Sequence, residues 1–283
     1  MVRKVGYQGV PGAYSSIAAA QRFPSFTSVG FPTFDAVIAA LRGGDVTYAL
    51  LPIENSTSGR VADLHHLLPD SGLSVIGEHF LPIHHCLIAR RGIKKADVRH
   101  VYSHREALNQ CRSYIRSLAA EPVPYGDTAA AVDYVIEHGS QSYAALASSA
   151  AVRRQKDAVI IERNVEDRKD NVTRFLILSK RAPRVKFGDD VLTSIVYSTR
   201  DVPAALFKSL AGFATTGTNI IKLESFVPMI RHTHATFYLE FEGDPSHSPA
   251  SIALDELRFY ARELTVLGSY PKSPFRKRFA RSR

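Results

Sequence analysis

Asn171-Val-Thr-Arg-Phe175 sets an amide, a hydroxyl and a guanidinium together in a β-rich run. Pro52-Ile-Glu-Asn-Ser56 places a carboxylate, an amide and a hydroxyl where an apolar, strand-like run ends. Ser103-His104 followed by Gln110, and Asp127-Thr128, repeat the arrangement at strand–helix junctions. Such groups can hold an anion through hydrogen bonds or assist a departing oxygen with a proton. Polar side chains at a strand end either cap the next segment or face a ligand, and residue types alone leave both readings open. Gly9-Val-Pro-Gly-Ala-Tyr-Ser15 joins the first strand to the first helix, and its glycines let backbone N–H groups approach an anion. It has neither the spacing of a P-loop nor that of the dinucleotide fingerprint, and a tight βα turn needs glycine for local reasons alone.

The histidines invite a metal reading: His65-His66, His79, His84-His85 and His232-x-His234. Adjacent histidines on a strand point to opposite faces, so His84 and His85 do not share a ligand. His232 and His234 share a face, but no cysteine or carboxylate set completes a site at a recognisable spacing. No metal and no other cofactor is expected. Cys86 and Cys111 stand far apart without a Cys-x-x-Cys pair. That usage suits a reducing compartment, and Cys111 falls on an apolar helix face, as a core thiol does.

Short β-rich runs alternating with amphipathic helices must position these groups. Strands are expected over 4–7, 48–53, 83–89, 100–103, 158–162 and 174–179. Helices are expected from about 15 to 21, after Thr33 with Phe34, Val37, Ile38 and Leu41 inward, and around Val61, Leu64 and Leu68. Two more carry Leu108, Cys111, Ile115 and Leu118, and run from an Asp127 N-cap to about His138. The pattern is that of an α/β domain in two lobes, 1–78 with 158–182 and 79–157, whose cleft would take a ligand. A polar linker over 180–190 then precedes a different rhythm: strand 191–197, a helix opened by Pro203 with Leu206, Leu210 and Phe213 inward, and a turn at Gly217-Thr-Asn. Strands 220–226 and 236–242, a helix from Ser248-Pro249 to Leu264 and a strand over 266–270 complete a βαββαβ order, that of a ferredoxin-like sandwich.

A chain of 283 residues with 45% hydrophobic and 22% charged residues can hold two ordinary globular domains. The N-terminus has no apolar h-region, so a secretory signal is not expected and a cytoplasmic location is. Of the nine net positive charges, six sit in the last twelve residues, as Lys272, Arg276, Lys277, Arg278, Arg281 and Arg283. The remaining body is mildly basic, which fits a small anionic substrate and does not demand nucleic acid. The tail, 272–283, is expected to be a solvated, disordered end.

Taken in order, these motifs resemble the prephenate dehydratases that carry a C-terminal ACT regulatory domain. The matching stretches are Gly9–Ser15, Pro52–Ser56 with Gly59 and Val61, Ser103-His104 through Ala107-Leu108 to Gln110-Cys111, Asp127-Thr128-Ala129 and Asn171–Phe175. In the second domain, Phe237-Tyr-Leu-Glu-Phe-Glu-Gly243 and Val266-Leu-Gly-Ser-Tyr-Pro271 match as well. The resemblance implies a two-lobed, periplasmic-binding-protein-like catalytic domain over 1–182 and an ACT domain over 191–271. It implies a cofactor-free lyase that turns prephenate into phenylpyruvate by joint loss of water and CO2, in phenylalanine biosynthesis. Thr173 matches the family's essential threonine, and Glu54, Asn55 and Gln110 match catalytic positions. Ser15, Ser56, Thr128, Asn171, Arg174 and Phe175 are the expected substrate contacts.

ACT domains of this family resemble amino-acid sensors that take phenylalanine at a dimer interface, which implies a homodimer or homotetramer. The effector positions would be Ala204, Ala205 and Leu206, Gly217 and Asn219, and Glu224 and Ser225. Two departures stand out. Ala204 replaces the family's glycine before the helix, and Glu224-Ser225-Phe226-Val227 replaces Glu-Ser-Arg-Pro. An arogenate dehydratase, or a non-catalytic binder of small anions or amino acids, is the alternative reading.

Overall fold

A computed structural model describes residues 3–182, 190–226 and 235–280. His232, His234, Val227, Arg281, Arg283 and most of the expected linker lie outside the described residues. Contacts divide the chain into two units, Met1–Arg60 with Phe80–Phe175, and Val61–His79 with Leu176–Arg283. No described helix is long and apolar enough to cross a membrane.

The chain begins β1 (Lys4–Gln8), α1 (Tyr14–Arg22), β2 (Thr27–Phe31), α2 (Phe34–Gly43), β3 (Tyr48–Asn55), β4 (Gly59–Arg60), α3 (Ala62–Leu67) and β5 (Ser74–Pro82). It continues with β6 (Cys86–Arg90), β7 (His100–Ser103), α4 (Arg105–Gln110), α5 (Arg112–Ser117), β8 (Glu121–Pro124), α6 (Thr128–His138), β9 (Tyr143–Ala147), β10 (Ala158–Arg163) and β11 (Val172–Ser179). One sheet has the order β2-β1-β3-β11-β5, with β4 on β3, and a second has β10-β6-β9-β7-β8.

Local chemistry sets the elements of the first unit. Thr33 Oγ1 accepts from the backbone N–H of Ala36 at 3.2 Å to open α2, and Gly44, at φ 91°, closes it. Asp127 opens α6 by accepting from Ala129 N and Ala130 N at 2.7 and 3.0 Å. The buried faces of α6 and of β6 and β9 share one core through Val132, Val135, Ile88 and Ala145. β10 pairs antiparallel with β6 and so belongs to the second sheet, not to the first lobe as its sequence position suggests. The chain returns to the first sheet only at β11.

The second unit runs β12 (Val191–Thr199), α7 (Ala205–Thr216), β13 (Ile220–Phe226), β14 (Thr236–Glu242), α8 (Ala250–Tyr260), β15 (Ala261–Pro271) and α9 (Pro274–Ala280). Its sheet has the order β13-β14-β12-β15, with each neighbouring pair antiparallel. Phe213 and Leu254 from the two longer helices pack on Ile195, Leu239 and Phe241. The last long helix ends at Tyr260 rather than at Leu264. Glu263 and Leu264 pair instead with Ser198 and Tyr197, which puts Leu264 against the helix-side core by strand alternation.

Segment 61–78, expected in the first lobe, groups by contacts with this second unit. His65 Nε2 lies 3.1 Å from Glu224 Oε2, and a Cβ added at Gly268 would meet Val75 O at 2.1 Å. Glu78 carries a side chain with no exposed area, and it accepts Arg276 Nε at 2.7 Å, Arg276 Nη2 at 2.8 Å and Ser273 N at 2.9 Å. Lys272 Nζ reaches Glu242 Oε1 at 2.7 Å, and Lys277 bonds Asp190. The first part of the tail is therefore packed, which corrects the expectation of a solvated end.

Candidate active site

The end of β3 and the start of β11 are stapled by Ser56. Its N–H donates to Val172 O at 2.9 Å, its Oγ accepts from Val172 N at 2.9 Å, and Oγ–H donates to Asp170 O at 3.2 Å. Side chains alternate across a strand, so Asn171 and Thr173 share one face and Arg174 takes the other. Asn55 Oδ1 accepts from the backbone N–H of Thr57 and of Ser58, each at 2.9 Å. Those two donors are unambiguous, so they fix which end of the Asn55 amide is nitrogen. Nδ2 then donates to Asn171 Oδ1 at 2.7 Å and to Thr173 Oγ1 at 2.9 Å. A hydroxyl that accepts from Asn55 keeps its own proton for another acceptor.

Gln110 reaches the same cluster from the other sheet's side of the unit. α4, which ends at Gln110, is opened by His104, whose Nδ1 accepts from Glu106 N at 3.3 Å. Asn171 Nδ2 donates to Gln110 Oε1 at 2.8 Å, Gln110 Nε2 donates to Ser58 Oγ at 3.2 Å, and Ser58 Oγ donates to Glu106 Oε2 at 2.7 Å. Gly9, at φ 108°, lies so close to α6 that an added Cβ would stand 3.8 Å from Asp127 Oδ2. The first glycine loop and the start of α6 thus face each other. Gly12 serves packing: its carbonyl accepts from Ser148 Oγ at 2.6 Å and an added Cβ would press on Ala151 at 3.1 Å.

Among the expected site residues, the structure brings together Thr173, Asn55, Gln110 and Asn171. Glu54 and Arg174 lie on the other face. Arg174, 2% exposed, donates from Nη1 to Glu54 Oε1 at 3.0 Å, and its guanidinium lies over the Phe80 ring at 5.9 Å. Both belong to the opposite face, because each is one residue out of step with Asn55 and Thr173. Ser56 is a backbone staple, and Phe175, 1% exposed, is core. Ser15 and Thr128 are half-buried in the first turns of α1 and α6.

Sequence reasoning missed Tyr14, His85 and Glu166. Tyr14 Oη lies 2.7 Å from His85 Nδ1 and 2.9 Å from His84 O, and His85 Nε2 lies 2.9 Å from Gln110 Oε1. Burial lowers the His85 pKa, against the Gln110 hydrogen bond that works the other way, and burial raises that of Tyr14. Burial alone would raise Glu166, but hydrogen bonds from His84 and from the His85 N–H outweigh it and hold the carboxylate low. The available signal was two polar histidines beside an apolar strand-like run, weighed only as metal ligands. Among the described residues no group of three or more His, Cys, Asp or Glu could hold a metal ion. Burial pushes both thiols up, Cys86 and Cys111 alike, as expected of core cysteines.

The expected effector positions do not form one cluster in the chain. Gly217, at φ 71°, and Asn219 lie in the turn between α7 and β13. That turn is separated from Leu206 by most of α7 and from Glu224 by strand, roughly 15 Å in each case at standard rises. A cavity of about 500 Å³ there is lined by Leu210, Phe213, Ala214, Gly217, Thr218, Asn219 and Ile220. Ala204 holds a left-handed φ of 58°, the conformation that a glycine would take without strain. Glu224 is engaged by His65 and by Lys222 Nζ at 2.9 Å, and these hold its carboxyl down at about 2. Phe226, where the family has arginine, packs edge-on to His66 at 5.1 Å and near His65 at 6.2 Å.

A two-sheet α/β unit with a hydroxyl–amide array at its strand ends is a candidate small-molecule site, and comparison with known proteins gives the class of the chain. Residues 5–183 match the prephenate dehydratase family. The chain is 40% identical over 277 residues to the bifunctional N-acyl-homoserine lactone acylase/prephenate dehydratase of Komagataeibacter europaeus, covering 98% of each. It is 37% identical over 284 residues to arogenate dehydratase 2 of Petunia hybrida, covering 95% of this chain and 71% of that one. The prephenate dehydratase of Arthrobacter aurescens, solved in complex with L-Phe, superposes with a TM-score of 0.87 at 25% identity, over 99% of this chain and 98% of that one. The chain belongs to the prephenate dehydratase family, and it is a lyase of the class that acts on prephenate.

Proposed function

We propose that the chain converts prephenate to phenylpyruvate with loss of water and CO2, in the cytoplasm and without a cofactor, as a step toward phenylalanine. The observation that carries this reading is the hydrogen bond from Asn55 Nδ2 to Thr173 Oγ1 at 2.9 Å. It leaves the threonine proton to be offered to a substrate oxygen. In the reaction the bond to the ring carboxylate breaks and its electron pair enters the ring. The C–O bond breaks in turn, and the departing hydroxide takes a proton to become water. Aromatisation drives the step. Thr173 donates to the departing oxygen, and any alkoxide character on it is stabilised by the Asn55 amide already aimed at Oγ1. Gln110 and the first-turn N–H groups of α1 are the groups proposed to receive the substrate's carboxylates.

The second unit is proposed to be an ACT regulatory domain that answers to phenylalanine in a homo-oligomer. Its βαββαβ order and the cavity at Gly217–Ile220, with apolar Leu210 and Phe213 beside backbone N–H and C=O groups, support this. The L-Phe complex of the Arthrobacter aurescens protein supports the choice of effector. Glu224 is proposed as a structural member of that unit, since its carboxylate is held by His65 and Lys222.

Spectrophotometric release of phenylpyruvate from prephenate, with arogenate in parallel, tests the reaction. Turnover of prephenate is expected, with inhibition by phenylalanine of about 5- to 150-fold. Turnover of arogenate alone would replace the substrate. N-acyl-homoserine lactone hydrolysis without turnover of either dehydratase substrate would make the acylase half of the Komagataeibacter relative's name the better guide. Unchanged phenylalanine inhibition after Leu210→Ala or Phe213→Ala would remove the effector from the α7–β13 cavity.

A further inference from the structure

The two backbone N–H groups that fix Asn55 fix more than one amide. With Asn55 Nδ2 donating to Asn171 Oδ1, the far end of Asn171 is its nitrogen, and that nitrogen donates to Gln110 Oε1 at 2.8 Å. The Gln110 oxygen therefore lies at the junction with His85, whose Nε2 stands 2.9 Å away. An oxygen cannot donate, so His85 Nε2 must carry a proton. On a neutral ring Nδ1 is then the acceptor, and it lies 2.7 Å from Tyr14 Oη, whose one proton is shared with His84 O at 2.9 Å. The polarity of the chain Asn55–Asn171–Gln110–His85–Tyr14 is thus set from the backbone outward, over side chains from five separate segments.

We propose that His85, in its Nε2–H tautomer between the Gln110 oxygen and the Tyr14 hydroxyl, is a positioning residue that helps lock the Gln110 amide with its NH2 group, not its carbonyl, turned toward an anionic substrate. The proposal rests on the dehydratase reading, in which Gln110 receives a carboxylate. One Gln110 N–H goes to Ser58 Oγ at 3.2 Å, and Ser58 has already given its own proton to Glu106 at 2.7 Å. The second Gln110 N–H is the one offered to the substrate. A flipped amide would set nitrogen against the Asn171 nitrogen and against His85 Nε2–H, and it would show a carbonyl oxygen to a dianion. Burial of His85, 2% exposed, disfavours the charged ring and lowers its pKa. The Glu166 carboxylate, facing the His85 N–H rather than its ring, anchors the backbone at the same point.

A donor that binds a carboxylate equally in ground and transition states changes KM and leaves kcat alone. One lost hydrogen bond to a charged group corresponds to a factor of about 10 or more. His85→Leu is therefore expected to raise KM for prephenate about tenfold with kcat within about threefold of wild type. His85→Gln, which can still donate to Gln110, is expected to restore KM to within about threefold. Long-range proton–nitrogen spectra of histidine-labelled protein, with His85 assigned from the resonance that the Gln variant lacks, should show the Nε2–H tautomer. In Tyr14→Phe the Nε2–H form should persist, because the Gln110 oxygen still requires that proton. A wild-type ring protonated at Nδ1, a Leu variant with unchanged KM, or a Gln variant as impaired as Leu would each overturn the proposal. If His85→Leu does not fold, the tautomer of the wild-type ring and the KM of His85→Gln decide. Failure of the wild type to turn over prephenate would instead overturn the dehydratase reading, and the spectra would still report on His85.

Discussion

Arg174 and Glu54 meet at 3.0 Å on the face of β3 and β11 opposite the one that carries Asn55 and Thr173. Consecutive residues in two sequence motifs are thereby split into two jobs, one holding the sheet and one facing the site. Strand alternation makes the split unavoidable, and it separates the outcomes expected of neighbouring substitutions.

For Thr173, removal of the hydroxyl takes away the group that assists the departing oxygen. Thr173→Ala is expected to lower kcat by about 10²-fold, with KM little changed, because the interaction belongs to the transition state. Thr173→Ser keeps the Oγ that Asn55 addresses and should retain partial activity. Steady-state kinetics on folded protein check both, and an alanine variant with more than half the wild-type kcat would take Thr173 out of the mechanism.

For Glu54, the main expected effect is on stability. Glu54→Gln leaves a guanidinium that is 2% exposed facing a neutral amide, at a cost of about 1–3 kcal/mol. Urea unfolding should show that loss, while kcat below the lowered transition stays within about tenfold of wild type. A variant of wild-type stability whose kcat falls as far as that of Thr173→Ala would return Glu54 to the chemistry.

How much of this was legible beforehand varies by element, and the reasons are physical. α2 could be read because Thr33 caps it and Val37, Ile38 and Leu41 repeat at helical spacing. β9, Tyr-Ala-Ala-Leu-Ala, could not, since alanine favours helix and only burial between β6 and β7 makes it a strand. β8 holds Pro122 and Pro124, which deny a strand reading until its edge position is known. At the site, Asn171, Thr173, Asn55 and Gln110 stood out because polar groups cluster at strand ends. Tyr14 and His85 did not, because their roles come from contacts between residues some 70 positions apart. The family resemblance named Glu54 and Arg174 but carried no statement of which face each would take.

At the C-terminal end, Arg276 forks onto Glu78, whose side chain is fully buried. Removing Arg276 takes two guanidinium donors from a buried carboxylate, and breaking one partner of such a pair typically costs about 3–5 kcal/mol. Arg276→Ala, and deletion of 272–283, should each lower stability by about that much, whereas Arg276→Ala with Glu78→Leu should recover part of it. Thermal or urea unfolding of the three proteins checks the coupling. Equal stability of wild type and truncated chain would return the tail to solvent.

Ala204 offers a gain instead of a loss. Its left-handed φ of 58° costs an L-residue about 1–2 kcal/mol relative to glycine, less the extra chain entropy that glycine brings to the unfolded state. Ala204→Gly is therefore expected to stabilise the protein by up to about 1 kcal/mol, read as a raised unfolding midpoint. A lowered midpoint would mean that the Ala204 methyl contributes packing that outweighs its backbone strain.

Glu224 gives the second unit an acid-sensitive joint between α3 and β13. Its carboxyl is held at about 2, below an ordinary value of 4.5, first by His65, whose Nε2 lies 3.1 Å away, against burial, and then by Lys222. A depressed carboxyl pKa contributes stability that is fully present above the unfolded value and is lost as pH falls through the folded one. The window is therefore about pH 4.5 down to about 2, and the full contribution at neutral pH is at most ~3 kcal/mol. Glu224→Gln should be less stable than wild type at pH 6 by about 1–3 kcal/mol, and the two stabilities should converge as the pH is lowered toward 3. Urea midpoints taken across that range at constant ionic strength make the comparison, because other carboxylates titrate identically in both proteins and cancel in the difference. A gap that stays constant from pH 6 to pH 3 would show that Glu224 acts there by shape and not by charge.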